Sequence, residues 1–257
     1  MPLFELDFKY GITEFGDASQ VFCWASFIKN VICAIIISRG ANEKFAEKLL
    51  DNKDKIIYHA RISGFGGTLF EPNVPSYHEI FKQIEYIIYR GFSPDQIVID
   101  VDPIIPYCWV DKLNLILNID YLDNIKNILE LTEEHGIKRV RQNFLNYEYN
   151  ILNNIKKFNH TLTLDPDWTY DPWNEISLHI FNKYLKYESA SPIFKFVEMT
   201  PIISNEDLKI LNLYNKYMFN SLYDIEKNKL ELIGLNETCK HNCVYCHNKN
   251  FLNNCIL

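Results

Sequence analysis

The fold is decided by the segment from Lys55 to Ile105, which contains KIIYHARISG (55–64), SYHEIFKQIEYIIYRG (76–91) and QIVIDVDPII (96–105). The first and third stretches are short and rich in Ile and Val, which predicts buried strands. The middle stretch has a helical period and predicts a helix that begins after the N-cap Ser76 and stops at Gly91. Strand, helix and strand in this order form a βαβ unit with parallel strands. The segment therefore predicts an α/β fold.

The same alternation continues on both sides of this segment. Upstream, the pattern predicts a strand over 30–39 and a helix over 43–50 with Asn42 as its cap. Downstream, it predicts helices over 120–135, 148–158, 172–187 and 204–212 and strands over 137–145, 193–199 and 229–236. Six or seven such units favour one domain over residues 1–257, a closed or partial TIM-barrel-like βα barrel, with a doubly wound open sheet as the alternative.

Composition narrows the classes of protein. Apolar residues make up 47%, charged residues 23%, and mean hydropathy is -0.16, as in a globular protein with a sizeable core. No apolar run reaches the roughly 20 residues of a membrane span, and the first residues do not resemble a signal peptide. We therefore expect a cytoplasmic protein with no membrane partner. The net charge of -7 disfavours a general duplex-DNA binder.

Four of the seven cysteines lie within the last 19 residues: Cys239, Cys243, Cys246 and Cys255. The first three have the spacing C-x3-C-x2-C and directly follow the last predicted strand, in a loop over 236–247. In a reducing compartment such a group indicates metal or redox chemistry. Three thiolates can hold three irons of a [4Fe–4S] cluster and leave the fourth iron open. A zinc site completed by His241 or His247 is the alternative.

The motif CKHNCVYC (239–246), with an aromatic residue before its third cysteine, resembles the radical S-adenosylmethionine (SAM) motif. Other segments resemble an uncharacterised bacterial and phage radical-SAM-like family that carries this motif at its carboxyl end and is distantly similar to spore photoproduct lyase. These segments are SRGAN (38–42), HARISGFGGT (59–68), EPNVP (71–75) and DPIIP (102–106). The resemblance implies a barrel of the radical SAM type, permuted so that the cluster-binding strand and loop come last.

This resemblance also implies an activity. A [4Fe–4S] cluster held by Cys239, Cys243 and Cys246 would bind SAM and generate a 5′-deoxyadenosyl radical, which abstracts hydrogen from a substrate. An external electron donor such as a flavodoxin or ferredoxin is implied as a partner. The substrate is unknown, and only the similarity to the lyase suggests a nucleotide or nucleic acid. The competing hypothesis is a non-catalytic zinc or iron–sulfur module with a structural or recognition role.

Further candidates lie at the predicted strand ends. For Gly64, Gly66 and Gly67 two interpretations stay open, a turn that needs positive φ or a backbone surface that SAM can approach. Asn236 and Tyr245, next to the cysteines, are the other cofactor-binding candidates.

Asp102 and Arg141 are the catalytic candidates. Asp102 is expected to contact the substrate or the SAM ribose, and Arg141 lies near its strand end beside Asn143. An interior arginine needs a carboxylate partner, for which the candidates are Asp102, Glu198 or a ligand. We expect Arg61, Arg139 and Arg141 to divide between the barrel interior and the helices. The chain departs from its relatives at Asp100, where they usually carry an arginine.

Overall fold

A computed structural model of the chain describes residues 8–68, 70–104, 108–111, 114–117, 119–144, 195–196, 202–219, 221–233, 239–241 and 243. The strands are β1 (Tyr10–Ile12), β2 (Ala34–Ser38), β3 (Ile56–Arg61), β4 (Ile97–Ile104), β5 (Cys108–Asp111), β6 (Asn114–Leu117), β7 (Arg139–Phe144), β8 (Lys195–Phe196) and β9 (Lys229–Glu231). The α-helices are α1 (Cys23–Phe27), α2 (Glu43–Asp51), α3 (Tyr77–Tyr89), α4 (Ile119–Glu134), α5 (Asn205–Ile210) and α6 (Leu222–Lys227).

Seven of these strands form one parallel sheet in the order β8-β7-β4-β3-β2-β1-β9, while β5 and β6 form a separate antiparallel hairpin. The predicted α/β fold with a parallel sheet is therefore confirmed. From β1 to β8 the strand order follows the chain without the reversal that defines a doubly wound sheet. The last described strand, β9, pairs with β1, so that Tyr10 lies beside Lys229 and Ile12 beside Glu231.

Helices α1 to α4 cover one face of the sheet. The predicted N-caps of α2 and α3 are present. Asn42 accepts a hydrogen bond from the Phe45 N–H at 2.9 Å, and Ser76 forms a capping box with Glu79. Right-handed crossovers between parallel neighbours place successive helices on the same side. The apolar side chains on this face include Ala34, Ile36, Tyr58, Ala60, Ile99 and Val140 from the strands and Trp24, Phe45, Phe81, Ile84 and Ile125 from the helices.

On the opposite face of the sheet, the side chains at the amino ends of the strands differ in chemistry from those at the carboxyl ends. In its amino-terminal half, apolar side chains of the strands, such as Ile35, Ile57 and Val98, belong to one buried cluster with residues of 202–225. In its carboxyl-terminal half, the same strands carry polar and charged side chains. This polar half lies next to the loops that follow β1, β2 and β3, and it positions the candidate site.

Four described elements are missing from the sequence prediction: β1, α1, the β5–β6 hairpin and α6. Strand β1 has three residues, one of them Gly11, and glycine is a poor strand former. Pairing with β2 and β9 stabilises it, which is tertiary information. The predicted helices over 148–158 and 172–187 lie outside the described residues. No helix in the described ranges is long and apolar enough to cross a membrane.

Candidate functional site

Cys239 and Cys243 lie in a segment, residues 239–243, that we call the cysteine loop. Cys239 is half-buried, and Cys243 is buried in an apolar cluster that also contains Phe65, Val74 and Ile233. Neither is in a disulfide. The third cysteine of the motif, Cys246, lies outside the described residues, as do the cofactor-binding candidates Asn236 and Tyr245. Among the residues that are described, no group of three His, Cys, Asp or Glu side chains is placed to hold a metal ion.

Hydrogen bonds join the cysteine loop to the loops at the carboxyl ends of β1 and β3. The Lys240 N–H donates to Gln20 Oε1 at 2.7 Å, and Asn73 Nδ2 donates to the Lys240 carbonyl at 3.0 Å. The His241 Nδ1 atom lies 3.0 Å from the Asn73 carbonyl oxygen. Side chains and backbone of the chain itself therefore set the position of this loop.

The strongest of these contacts is buried. His241 Nε2 lies 2.7 Å from Asp17 Oδ2, and both residues are almost fully buried. Asp17 also accepts hydrogen bonds from the Ser19 N–H at 2.8 Å, the Ser19 hydroxyl at 2.5 Å, the Ser38 hydroxyl at 2.9 Å and the Arg39 N–H at 2.8 Å. Although burial alone would raise the pKa of Asp17, His241 and these donors lower it to about 2.

The surroundings of His241 favour its protonated form. Both of its ring nitrogens face acceptors, the Asn73 carbonyl and the Asp17 carboxylate, and a protonated ring can donate to both. Burial works against the charged ring, but the hydrogen bond and charge of Asp17 raise the pKa of His241 above its usual value. The contact is a buried ion pair between the loop after β9 and the loop after β1.

Arg39, at the end of β2, joins the cysteine loop to the charged part of the site. Its Nη1 donates to Glu71 Oε1 at 3.1 Å, and the Ser63 hydroxyl donates to Glu71 Oε2 at 2.5 Å. Burial raises the pKa of Glu71. Burial disfavours the charged form of Arg39, but the carboxylates of Glu71 and Asp102 raise its pKa. Through its N–H, Arg39 also contacts Asp17, the partner of His241.

Arg61, Asp100 and Arg141 form an arginine–aspartate row across β3, β4 and β7, in which each residue is in register with the next. Arg61 Nε donates to Asp100 Oδ2 at 2.9 Å, and Arg141 Nε donates to Asp100 Oδ1 at 2.8 Å, with a second contact from Arg141 Nη2 to Oδ2. Asp100 and Arg141 are buried. Burial would raise the pKa of Asp100, but the two arginines hold it well below its usual range.

The carboxylate that pairs with Arg141 is thus Asp100, whereas the suggested partner Asp102 pairs with Arg61, and Glu198 lies outside the described residues. Asp102 instead lies at the rim, 16% exposed, with its Oδ2 at 3.0 Å from Arg61 Nε. Residues in register on adjacent strands, or two apart on one strand, share a face. Arg61, Arg139 and Arg141 therefore all lie on the face opposite helices α1 to α4, and the expectation that some face the helices is wrong. Arg139, nearer the amino end, pairs with Asp207.

The glycine segment after β3 packs beside the cysteine loop. Gly64 and Gly67 have φ of 83° and 77°, the conformation that favours glycine. A Cβ on Gly66 would lie 1.9 Å from the Pro75 carbonyl oxygen. The turn and the close approach of Pro75 account for all three glycines, and a role in SAM binding stays a prediction.

Sequence reasoning missed Asp17, Glu71 and Asn73. Asp17 follows β1, which was not predicted, so its position at a strand end was hidden. Glu71 and Asn73 belong to EPNVP (71–75), a segment that contributed to the resemblance without any role for its side chains.

No protein-family model, curated protein or solved structure matches the chain. The function is therefore inferred from the arrangement of its own residues.

Proposed function

We propose that the protein is a radical SAM enzyme on a permuted βα barrel, with a [4Fe–4S] cluster held by Cys239, Cys243 and Cys246. The observation that carries this proposal is the position of the cysteine loop. It follows β9, beside β1 in a parallel sheet, and is hydrogen-bonded to the loops at the carboxyl ends of β1 and β3. In βα barrels this end of the strands is where ligands bind and react.

The order of the strands supports the barrel. Successive strands are neighbours from β1 to β4, β7 and β8, and helices α1 to α4 lie on one side, as in a barrel wall. Strand β9 takes the place before β1. If β9 is the first strand of the barrel in space and the last in the chain, the cluster loop has the position that the permuted arrangement requires.

The contacts of His241 argue against this residue as a zinc ligand. A histidine binds zinc through the lone pair of a neutral ring nitrogen. Both nitrogens of His241 are instead engaged with acceptors on Asn73 and Asp17. His241 therefore fits as a residue that positions the loop, while His247, the other candidate zinc ligand, lies outside the described residues.

The described thiols fit the proposed [4Fe–4S] cluster. Cys239 and Cys243 are two positions of one loop, and Cys243 is shielded from water by apolar side chains. When bound, the cluster would supply the electron that cleaves SAM to a 5′-deoxyadenosyl radical. The chain's own residues hold the loop in place through Asp17 and Asn73. Arg39, Asp102 and the arginine–aspartate row line the adjacent mouth, where a substrate would be oriented.

Anaerobic reconstitution with iron, sulfide and reductant tests this function. We expect a brown protein with about four irons per chain that forms 5′-deoxyadenosine from SAM. Cys243→Ala should lose the iron, whereas Cys23→Ala, which removes a half-buried thiol outside the motif, should retain it. A colourless protein that binds zinc and no iron would instead support the structural or recognition module.

A further inference from the structure

The described part of the polar half of the sheet contains buried polar atoms without hydrogen-bond partners. These are the donor Arg141 Nη1 and His59 Nδ1, a donor or acceptor according to the tautomer, and both atoms are fully buried. Arg141 is 1% exposed and His59 4%. A buried polar group without a partner costs free energy and calls for a bound water, ion or ligand group to explain it.

Arg61 adds donors on the solvent side. Its contacts with Asp100 and Asp102 involve Nε, at 2.9 and 3.0 Å. The side chain is 22% exposed, so part of Arg61 is open to a ligand. A guanidinium fork matches the two oxygens of a carboxylate or phosphate.

Guanidinium donors favour an acceptor that carries negative charge. Both oxygens of Asp100 accept from Arg61 and Arg141, so this carboxylate orients two guanidinium groups and neutralises only one. Asp102, at the rim, contacts the same Arg61 nitrogen and offsets the second charge, so the two arginines and the two aspartates are balanced. Burial and the charge of Arg141 keep His59 neutral by lowering its pKa well below the usual value.

We propose that Arg61 and Arg141 bind an oxyanion, a phosphate or carboxylate group of a ligand that enters at the carboxyl ends of β3, β4 and β7. The site adjoins the cysteine loop, because the loop that follows Arg61 and β3 contacts Lys240 and His241 through Asn73. In the proposed enzyme this group anchors the substrate. Binding of the oxyanion itself requires no cluster, so it can be measured whether or not the proposed function holds.

The experiment uses the full chain without metal and inorganic phosphate as the probe, at constant ionic strength. We expect phosphate at ten times its Kd to raise Tm by roughly 3 °C. Arg61→Gln should weaken phosphate binding about tenfold or more, and Arg61→Lys, which keeps the charge without the fork, should weaken it less. Arg90→Gln is the matched control, since Arg90 pairs with Glu47 on the surface, and should leave the Kd unchanged.

Two further ligands identify the source of the oxyanion. S-adenosylhomocysteine carries a carboxylate, whereas 5′-methylthioadenosine has the same nucleoside without one. Competition with phosphate by the former alone would assign the site to the carboxylate of the SAM moiety, and competition by neither would assign it to a substrate. Phosphate binding that is absent, or equally strong in Arg61→Gln, would overturn the proposal and leave the unpartnered atoms to buried water.

Discussion

The two halves of the sheet face opposite the helices are built from the same strands but with different chemistry. At the amino end, Ile35, Ile57 and Val98 pack with apolar side chains from 202–225. At the carboxyl end, those strands continue into charged pairs, of which Arg141–Asp100 is the most buried. Along a strand, two to four residues separate the apolar packing from the charges, as from Val98 to Asp100 and from Ile57 to Arg61.

The two halves contribute differently to the stability of the fold and to the chemistry of the site. Burial of apolar side chains is favourable by about 1.5–3 kcal/mol for each large residue. A buried ion pair gains little net stability, because desolvation offsets the Coulomb attraction, yet the removal of one partner is costly. The amino half therefore supplies stability, and the carboxyl half holds charged groups in defined positions for a ligand.

The largest expected effect is on the charged half. Asp100→Ala would leave Arg61 and Arg141 buried without their shared carboxylate, and we expect a loss of about 3–5 kcal/mol in the free energy of unfolding. Urea denaturation measures this loss. Asp51→Ala, which breaks the exposed pair between Lys48 and Asp51, should cost less than about 1 kcal/mol. Equal losses in the two variants would show that the row is no more than a surface-like pair.

A substitution in the apolar half should change the free energy of unfolding through packing alone. Leu208→Ala removes a fully buried side chain, and we expect it to cost about 2–4 kcal/mol through lost burial and the cavity that remains. Iron binding by the folded variant should be unchanged, because Leu208 lies in the apolar cluster at the amino end. Leu222→Ala, at an exposed position on α6, serves as the control in the same denaturation assay. Loss of iron in folded Leu208→Ala would mean that the halves are coupled.

The contact between His241 and Asp17 should have a smaller effect on stability and a local effect on the cysteine loop. His241→Gln removes the imidazolium beside a buried carboxylate, and we expect a cost of about 2 kcal/mol. In the metal-free protein, iodoacetamide should alkylate Cys243 about tenfold faster in this variant, as measured by mass spectrometry of digested protein. Asn73→Ala, which keeps the backbone carbonyl that His241 contacts, should accelerate the reaction less. Unchanged alkylation in both variants would show that the loop is held by other contacts.

The smallest effect is a pH dependence that belongs to the charged half. Because the pKa of His59 in the folded protein is well below 6.5, the unfolded chain takes up a proton first as pH falls. The stability that neutral His59 contributes is thus present above pH 6.5 and is lost below it, by about 1.4 kcal/mol for each pH unit. Stability curves should therefore show that, between pH 7.5 and 5.5, the wild type loses about 1.4 kcal/mol more stability than His59→Gln. Parallel curves would contradict the neutral state of His59.

Local features were predictable from the sequence, and pairings between strands were not. The caps Asn42 and Ser76 act within three residues, so their patterns suffice to place α2 and α3. The partner of Arg141 is instead fixed by the register between β4 and β7, 41 residues away. Composition and periodicity give no register, and so Asp100 was not among the carboxylates suggested as partners.

The same reason explains what was missed around the cysteines. The thiols were recognised from the sequence because their spacing is local. The contact of His241 with Asn73 was not, because 168 residues separate the two. Asp17 was also missed because the short strand β1 that precedes it was not predicted. The structural role of this histidine, as opposed to a role as ligand, depends on acceptors that only the folded chain brings together.

The ion pair between Asp17 and His241 spans 224 residues of chain, and this has a consequence for biosynthesis. Loop closure over such a distance is entropically costly, and contacts of this kind form late in folding. On the ribosome, the loop after β1 emerges long before its partner histidine, and Asp17 stays solvated until residue 241 has left the exit tunnel. A cluster, if bound as proposed, would meet positioned thiols only after residue 241 has emerged and His241 has paired with Asp17.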